Sequence, residues 1–511
     1  MRYERTIKDH RFDVTALYSV QETNSRTATQ LGECFVSDDS GYHNMGAAEN
    51  NIGVSSSLNE TAMLSYMLRL NYAFKGKYLL TFTGRSDGYS AFGANNKYAF
   101  FPTVAAAWNI SSEDFMENTR NWLDMMKLRV SYGSNGNQAI NPYQTLDRLR
   151  GVKYIWGDGG NFANGMYLPT NGVGNPNLKW ETTNSLNIGV DFALFHGRLS
   201  GNVEFYVAKT KDLLMSRSVP YMNGYKSIMD NIGQTKNVGF EMSLTSTNIT
   251  TDHFDWRTTF NFSLNRDKIT KLTGDSKQDL TNKWFVGEPA RVYYDYKMVG
   301  VWQKNDPSWN AEKGKFLNAE GKEIQAGAKP GSAKLLDVNN DGIINAKDKK
   351  IIGSKLPRFV ASLSNSFTYR DFYVSFVLNG VFGQWKHMHD QNFDRWMPEF
   401  NYLKGMGYWT EENPTNDVTS PVYVPYGKHS FYKKMNYVQV KNITVGYNFP
   451  KNFVKAIGLT NLRADFSVNN AYTFSNVKNA LNYDNDLDEE KGVVVGYPTA
   501  RSYMFGLNVT F

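Results

Sequence analysis

Apolar and polar residues alternate with a period of two over long stretches of this chain, and the alternation runs to its last residue. Tyr503, Phe505, Leu507, Val509 and Phe511 fall on one parity; Ser502, Met504, Gly506, Asn508 and Thr510 fall on the other. Successive side chains of a strand point to opposite faces, so such a segment has one greasy face and one wet face. Leu186, Ile188, Val190, Phe192 and Leu194 likewise oppose Asn187, Gly189 and Asp191. Leu199, Val203, Phe205 and Val207 follow after only His196-Gly197-Arg198, the spacing of a tight hairpin. One segment slips phase: Val438 and Val440 are followed by Ile443, Val445 and Tyr447, which predicts a β-bulge near Lys441-Asn442.

Counting by this period gives about fourteen strands, at 10–21, 62–74, 77–86, 99–110, 126–134, 183–195, 199–209, 234–247, 254–266, 358–369, 372–381, 433–449, 461–473 and 501–511. A soluble sandwich alternates too, so the links between strands are more telling. Short links follow the second, sixth, eighth, tenth and twelfth strands, and long ones follow the fifth, ninth and eleventh. Outer-membrane barrels are built this way, with short periplasmic turns and long external loops. The predicted class is therefore all-β, an antiparallel transmembrane β-barrel portion, with 1–511 as one domain. By this parity the last strand descends, its outward residues Tyr503, Phe505, Leu507, Val509 and Phe511 face lipid, and Phe511 ends at the periplasmic rim. A final aromatic strand of this kind resembles the C-terminal signal read by outer-membrane assembly machinery, so these five residues are expected to form a membrane-assembly strand.

Composition agrees. Aromatics make up 14% of the 511 residues while mean hydropathy is −0.50, which points to many exposed aromatics rather than a large greasy interior. No apolar run approaches the roughly 18 residues of a membrane helix; Val104 to Trp108 is among the longest. A helical membrane protein is excluded, but a barrel is not, because alternation hides its apolar face from hydropathy averages. Cys34 is the only cysteine, so no intrachain disulfide forms, and it reads as an incidental thiol. The net charge of +7 is scattered; nucleic acid is not an expected partner. The N-terminal MRYERTIKDH holds no apolar signal-peptide core.

The sharpest motif is DVNNDGIINAKD. Asp337, Asn339 and Asp341 occupy positions 1, 3 and 5 of an EF-hand or dockerin-like calcium loop, Gly342 the turn, the Ile343 carbonyl position 7, Asn345 position 9 and Asp348 position 12. Such spacing converges the six to eight oxygens at about 2.4 Å that Ca²⁺ takes. A calcium-free Asx turn of the same shape is the alternative. The loop lies in an external connection, within a 303–357 segment, and a bound Ca²⁺ would be structural.

Other candidates are weaker. His387 and His389 lack a third metal ligand and read as solvated loop histidines. GDGGNFANG (157–165) lacks the lysine and helix of a phosphate loop and reads as a mobile loop. No nucleophile-base arrangement has supporting context, so no enzyme is expected. Trp156, Trp284, Trp302, Trp309, Trp385, Trp396 and Trp409 lie in predicted loops; stacking on a solute is one reading, and forming interfacial girdles or packing the loops together is the other.

Several stretches, among them MKLRVSYGSNGNQAINPYQT, NPNLKWETTNSLNIGVDF, DVNNDGIINAKDKKIIG, MNYVQVKNITVGYNFPKNF and YPTARSYMFGLNVTF, resemble the C-terminal barrel half of SusC/RagA-type TonB-dependent transporters of Bacteroidetes. The resemblance implies about 14 strands of a 22-stranded barrel, an outer-membrane location, and import of oligosaccharides or peptides. The implied partners are a SusD-like surface lipoprotein and TonB-ExbB-ExbD, reached through an N-terminal plug portion that this sequence does not contain. A barrel portion with two free edges is penalised in hydrocarbon, so transport by it alone is not expected. A surface-binding receptor or adhesin barrel, and a passive porin, are the alternatives. NYDNDLDEE (482–490) fits an external loop.

Overall fold

In the computed structural model, fifteen strands form one antiparallel sheet in which neighbours in space are consecutive along the chain. They are β1 (Arg2–Ile7), β2 (His10–Phe35), β3 (Ala48–Phe74), β4 (Tyr78–Tyr89), β5 (Tyr98–Asn109), β6 (Leu123–Asn137), β7 (Glu181–Leu194), β8 (Leu199–Lys211), β9 (Gln234–Thr250), β10 (Phe254–Lys271), β11 (Phe359–Tyr369), β12 (Phe372–His387), β13 (Tyr432–Asn448), β14 (Asn461–Ser475) and β15 (Ser502–Thr510). The structure describes residues 1–37, 39, 41–156, 161–167, 173–220, 222, 224–274, 276–387, 405, 407–422, 432–477 and 499–511. Among these, β1 and β15 each pair on one side only.

The strand count exceeds the sequence reading by one, because β1 carries too few apolar residues to register by period. The first long hairpin also runs further than expected. β4 stops pairing with β3 at Met63, whereas β2 and β3 remain paired out to Phe35 and Ala48. That outer ribbon, rich in Thr, Ser and Asn, has no apolar face to detect. It extends past the neighbouring strands and is exposed along most of its length.

Connections segregate by end. Links at 8–9, 75–77, 110–122, 195–198, 251–253, 370–371 and 449–460 leave one end; links at 36–47, 90–97, 138–180, 212–233, 272–358, 388–431 and 476–501 leave the other. The tight turns use left-handed backbone at Lys75 and Gly76, at His196 and Gly197, and at Arg370, as two- to four-residue hairpins demand. Phe511 sits at the short-link end.

Register puts all the greasy rows on one face. Val207 pairs with Leu186 and Val238, Phe205 with Ile188 and Phe240, and Val203 with Val190 and Met242. Many of these side chains are open to the surroundings: Leu68 is 58% exposed, Tyr132 56% and Phe505 74%. A continuous apolar face of this kind is a lipid-contacting surface. Toward the short-link end it carries cross-strand aromatic contacts, Phe74–Tyr78, Tyr78–Trp108, Trp256–Phe367 and Phe372–Tyr447, the girdle expected at a membrane interface. The bulge falls at Lys441, which both neighbours skip: Val377 pairs with Asn442 and Leu378 with Val440. That extra residue restores Val438 and Val440 to the same face as Ile443 and Val445.

Candidate functional site

The opposite, polar face of the sheet is chemically organised. Arg129 on β6 donates to both carboxylate oxygens of Asp191 on β7 (2.8 and 2.7 Å) and to Glu204 on β8 (2.8 Å). Asn187 and Asn202 donate to the same Glu204. Bidentate guanidinium–carboxylate pairing fixes orientation as well as charge, so three strands are tied by one arginine. Further round, Arg85 pairs with Asp87 and Ser65, and Thr444 pairs with Ser467. A recess of about 300 Å³ on this face is lined by Asn202, Glu241, Ser243, Asn261, Ser362 and Asn379. The sequence alone places Asn187 and Asp191 on the wet parity; the arginine-centred triad depends on register between three strands and was not singled out.

At the long-link end the described parts of 90–97, 138–180 and 212–233 fold together. Ala91, Phe92, Phe101, Ile140, Leu178 and Trp180 bury one another, joining 90–97 and 138–180 to the barrel, and the hairpin of Leu214–Ser218 with Ser227–Asn231 packs on them through Leu214 and Met229. Asn231 bridges as a backbone would, accepting from the Lys179 N–H and donating to the Lys179 carbonyl. Gly93 donates to the Leu178 carbonyl, and a Cβ there would lie 1.9 Å from the Pro176 oxygen.

The 272–358 connection carries its own small cores. Trp302 stacks on Phe316 at 4.1 Å, Trp309 contacts the same ring, and the Trp302 indole N–H donates to Gln325. The ammonium of Lys334 lies 4.2 Å from the Trp302 ring. Trp409 is buried and donates to Gln303. These tryptophans therefore pack the loops together. Trp156, 71% exposed, remains available for stacking, and Trp396 lies outside the described residues.

The predicted calcium loop adopts a compact Asx-rich turn within this connection. The Gly342 N–H donates to Asp337 Oδ2 at 2.8 Å, the Asp341 N–H to Asn339 Oδ1, and the Ile343 N–H to Asp341 Oδ1. Asn340 and Gly342 take left-handed backbone. The other oxygen of Asp337, Oδ1, is buried with no hydrogen-bond partner. A buried carboxylate oxygen left so costs free energy, and a cation supplies what it lacks. Asn345 Nδ2 donates to the Ile343 carbonyl, bringing positions 7 and 9 together. Asp348 is fully buried, and its two oxygens accept the Val338 and Asn345 N–H groups. It thus caps the short 3₁₀ turn Ala346–Asp348 with Asn345, a role the spacing did not reveal; each of its oxygens keeps a second lone pair. No cluster of three or more His, Cys, Asp or Glu forms among the described residues, so any ion here relies on the amide and carbonyl oxygens of Asn339, Asn345 and Ile343 beside the aspartates. That donor set is all oxygen and fits a hard dication.

Two expectations need correcting. His387 is not solvated: it ends β12, is buried, and lies 5.0 Å from the Tyr432 ring, because the folded 272–358 connection covers it through Tyr293. His389 lies outside the described residues. In 157–165, Asn161 onward is not an open loop but the start of a strand, Asn161–Tyr167, paired with Arg150–Trp156; alternation across a Gly-containing ladder was too weak to read. Residues 157–160 and the acidic 482–490 lie outside the described residues.

On the short-link side, 110–122 folds over the Lys75–Lys77 turn. Glu113 accepts from Trp108 Nε1 at 2.9 Å and from Lys77 Nζ at 3.0 Å. Hydrogen bonds from Tyr78, Trp108 and Lys77 hold its carboxyl well below the usual range, at about 2.

A family model described as TonB dependent receptor-like, beta-barrel, matches residues 3–471. TonB-dependent receptor P3 of Formosa agariphila is 34% identical over the whole chain, and SusC of Bacteroides thetaiotaomicron is 28% identical over 88% of it. The match covers 52% and 44% of those proteins, so the chain spans about half the length of the curated relatives it matches. The structure of the RagAB peptide transporter superposes over the full chain and 54% of its own, with a TM-score of 0.80 and 24% identity.

Proposed function

Because this chain belongs to the TonB dependent receptor-like β-barrel family of the outer membrane, we propose that it supplies the wall and external mouth of a SusC-type importer. The solute is an oligosaccharide or a peptide, import is driven through TonB-ExbB-ExbD, and a SusD-like lipoprotein covers the mouth. The observation that carries this reading is the polar face built on Arg129, Asp191 and Glu204 behind a continuous apolar face. A wall that only displayed loops would have no use for so ordered an interior. Folded connections gathered at one end favour a structured mouth over an open pore.

Uptake of labelled oligosaccharide and labelled peptide mixtures by cells with and without the intact gene tests the proposal. Loss of energy-dependent uptake of one class on deletion supports it. Binding without uptake would favour an adhesin, and uptake insensitive to collapse of the proton gradient a passive porin.

We further infer that the 337–348 loop holds a structural Ca²⁺, with Asp337, Asn339, Asp341, the Ile343 carbonyl, Asn345 and Asp348 as its ligands. The partnerless buried Oδ1 of Asp337 favours this over a metal-free turn. The ion would clip the 272–358 connection, since Ile344 at the loop's centre is buried against Tyr296, Ala333 and Leu335.

A further inference from the structure

On the lipid-facing side, the apolar rows of β8, β9 and β10 end at a band of cations toward the long-link end. Val207 pairs with Val238, and Val238 with Arg266. The next outward rung consists of three lysines in direct register: Lys209 opposite Lys236, and Lys236 opposite Lys268. The same rung on the two preceding strands is neutral, Asn184 on β7 and Ser134 on β6. The charge therefore stops at β8 on that side, and beyond β10 Arg358 adjoins it, its carbonyl accepting from Arg266 Nη1 at 2.6 Å.

This arrangement is costly without a partner. Directly opposed cross-strand residues have Cβ atoms about 4.5–5.5 Å apart, and like charges placed there destabilise the pair. Three carboxylates of the flanking segments are committed elsewhere: Asp212 to Lys179, Asp230 to Arg217, and Asp267 to the Ala290 N–H. Among the described residues, the cations of the polar face are treated differently, as Arg129 with its two carboxylates illustrates. Lys209, Lys268 and Arg266 are exposed.

Height identifies the partner. From Leu199 to Lys209 the strand runs roughly 33 Å at about 3.3 Å per residue, which at a tilt of about 40° rises about 25 Å along the membrane normal, the height of the apolar band of an outer-membrane barrel. Lys209 and its neighbours thus stand at headgroup level, outside the wall, on the external side. Anionic headgroups at a membrane surface attract such clusters, and ammonium and guanidinium groups bind phosphate oxygens strongly.

We propose that Lys209, Lys236, Lys268 and Arg266 form a docking site for the phosphate groups of an anionic lipid of the external leaflet. Bound phosphate neutralises the repulsion across β8, β9 and β10 and anchors these strands in their lipid shell. The inference rests on the outer-membrane placement and not on the identity of the imported solute, so it survives a failed uptake assay.

The test uses the purified protein in neutral detergent, titrated with diphosphoryl lipid A and followed by native mass spectrometry. The Lys209→Gln/Lys236→Gln/Lys268→Gln variant is expected to bind about tenfold more weakly or worse. Lipid A stripped of phosphate should bind both proteins alike, and Lys75→Gln/Arg370→Gln at the opposite rim should match wild type. Heat-modifiable gel mobility checks folding; if the triple variant fails it, the single Lys236→Gln variant carries the comparison, with a weakening of several-fold expected. Equal lipid A binding by wild type and the folded variant would overturn the proposal. So would complete displacement of lipid A by millimolar inorganic phosphate, which would mark a site for free anions instead.

Discussion

Asp337 holds one carboxylate oxygen in a hydrogen bond to Gly342 and keeps the other buried without a partner, and this asymmetry makes a single residue testable. Asp337→Ala combined with Asp341→Ala should abolish calcium binding measured by calorimetry; heat signals unchanged from wild type would remove the metal from the loop. Glu113 offers a second residue-scale test. Its carboxyl is depressed from 4.5 to about 2 by hydrogen bonds from Tyr78, Trp108 and Lys77. A depressed folded-state pKa stabilises the fold above the unfolded value, and that contribution fades as pH falls from about 4.5 through about 2. Thermal melting of wild type should therefore drop over this window while Glu113→Gln stays flatter, and the two should converge near the acid end. A constant gap between them would show that the charge is irrelevant. At this scale the calcium spacing was legible, since ligand identity and interval are both sequence properties. The capping role of Asp348 and the pairing of Glu113 were not, because both depend on which backbone groups come within reach.

Elements were legible in proportion to how sharply their two faces differ. β7, β8 and β14 stand between lipid and a wet interior, and their bounds agree with the period count to within a few residues. The outer ribbon of β2 and β3 is wet on both faces and escaped detection. β15 pairs only with β14 among the described residues and presents Tyr503, Phe505, Leu507, Val509 and Phe511 outward, Phe511 being 90% exposed. If this strand is read as an assembly signal, deleting Phe511 should lower the yield of heat-modifiable barrel in the outer membrane; wild-type yield would end that reading. Packing between connections gives a further test. At Gly93 a Cβ would strike the Pro176 carbonyl, so Gly93→Ala should separate 90–97 from 173–180 and quicken proteolysis of the 138–180 connection without altering the sheet. A cleavage pattern identical to wild type would count against that contact.

For the molecule as a whole, an apolar face this continuous predicts that the protein stays dispersed only with detergent or lipid. Sedimentation as a compact monomer in plain buffer would contradict the membrane assignment. The period of two, the phase slip at Lys441 and the alternation of short and long links were written in the sequence, because each is a local consequence of strand geometry and of which face meets lipid. Tertiary structure alone decided what crosses between strands and loops: that Arg129 gathers carboxylates from β7 and β8, that Trp302 and Trp409 pack loops instead of waiting for a solute, that His387 is covered, and that Lys209, Lys236 and Lys268 fall on one rung. Those facts depend on register between segments distant in sequence, and register is fixed only when the strands are laid side by side.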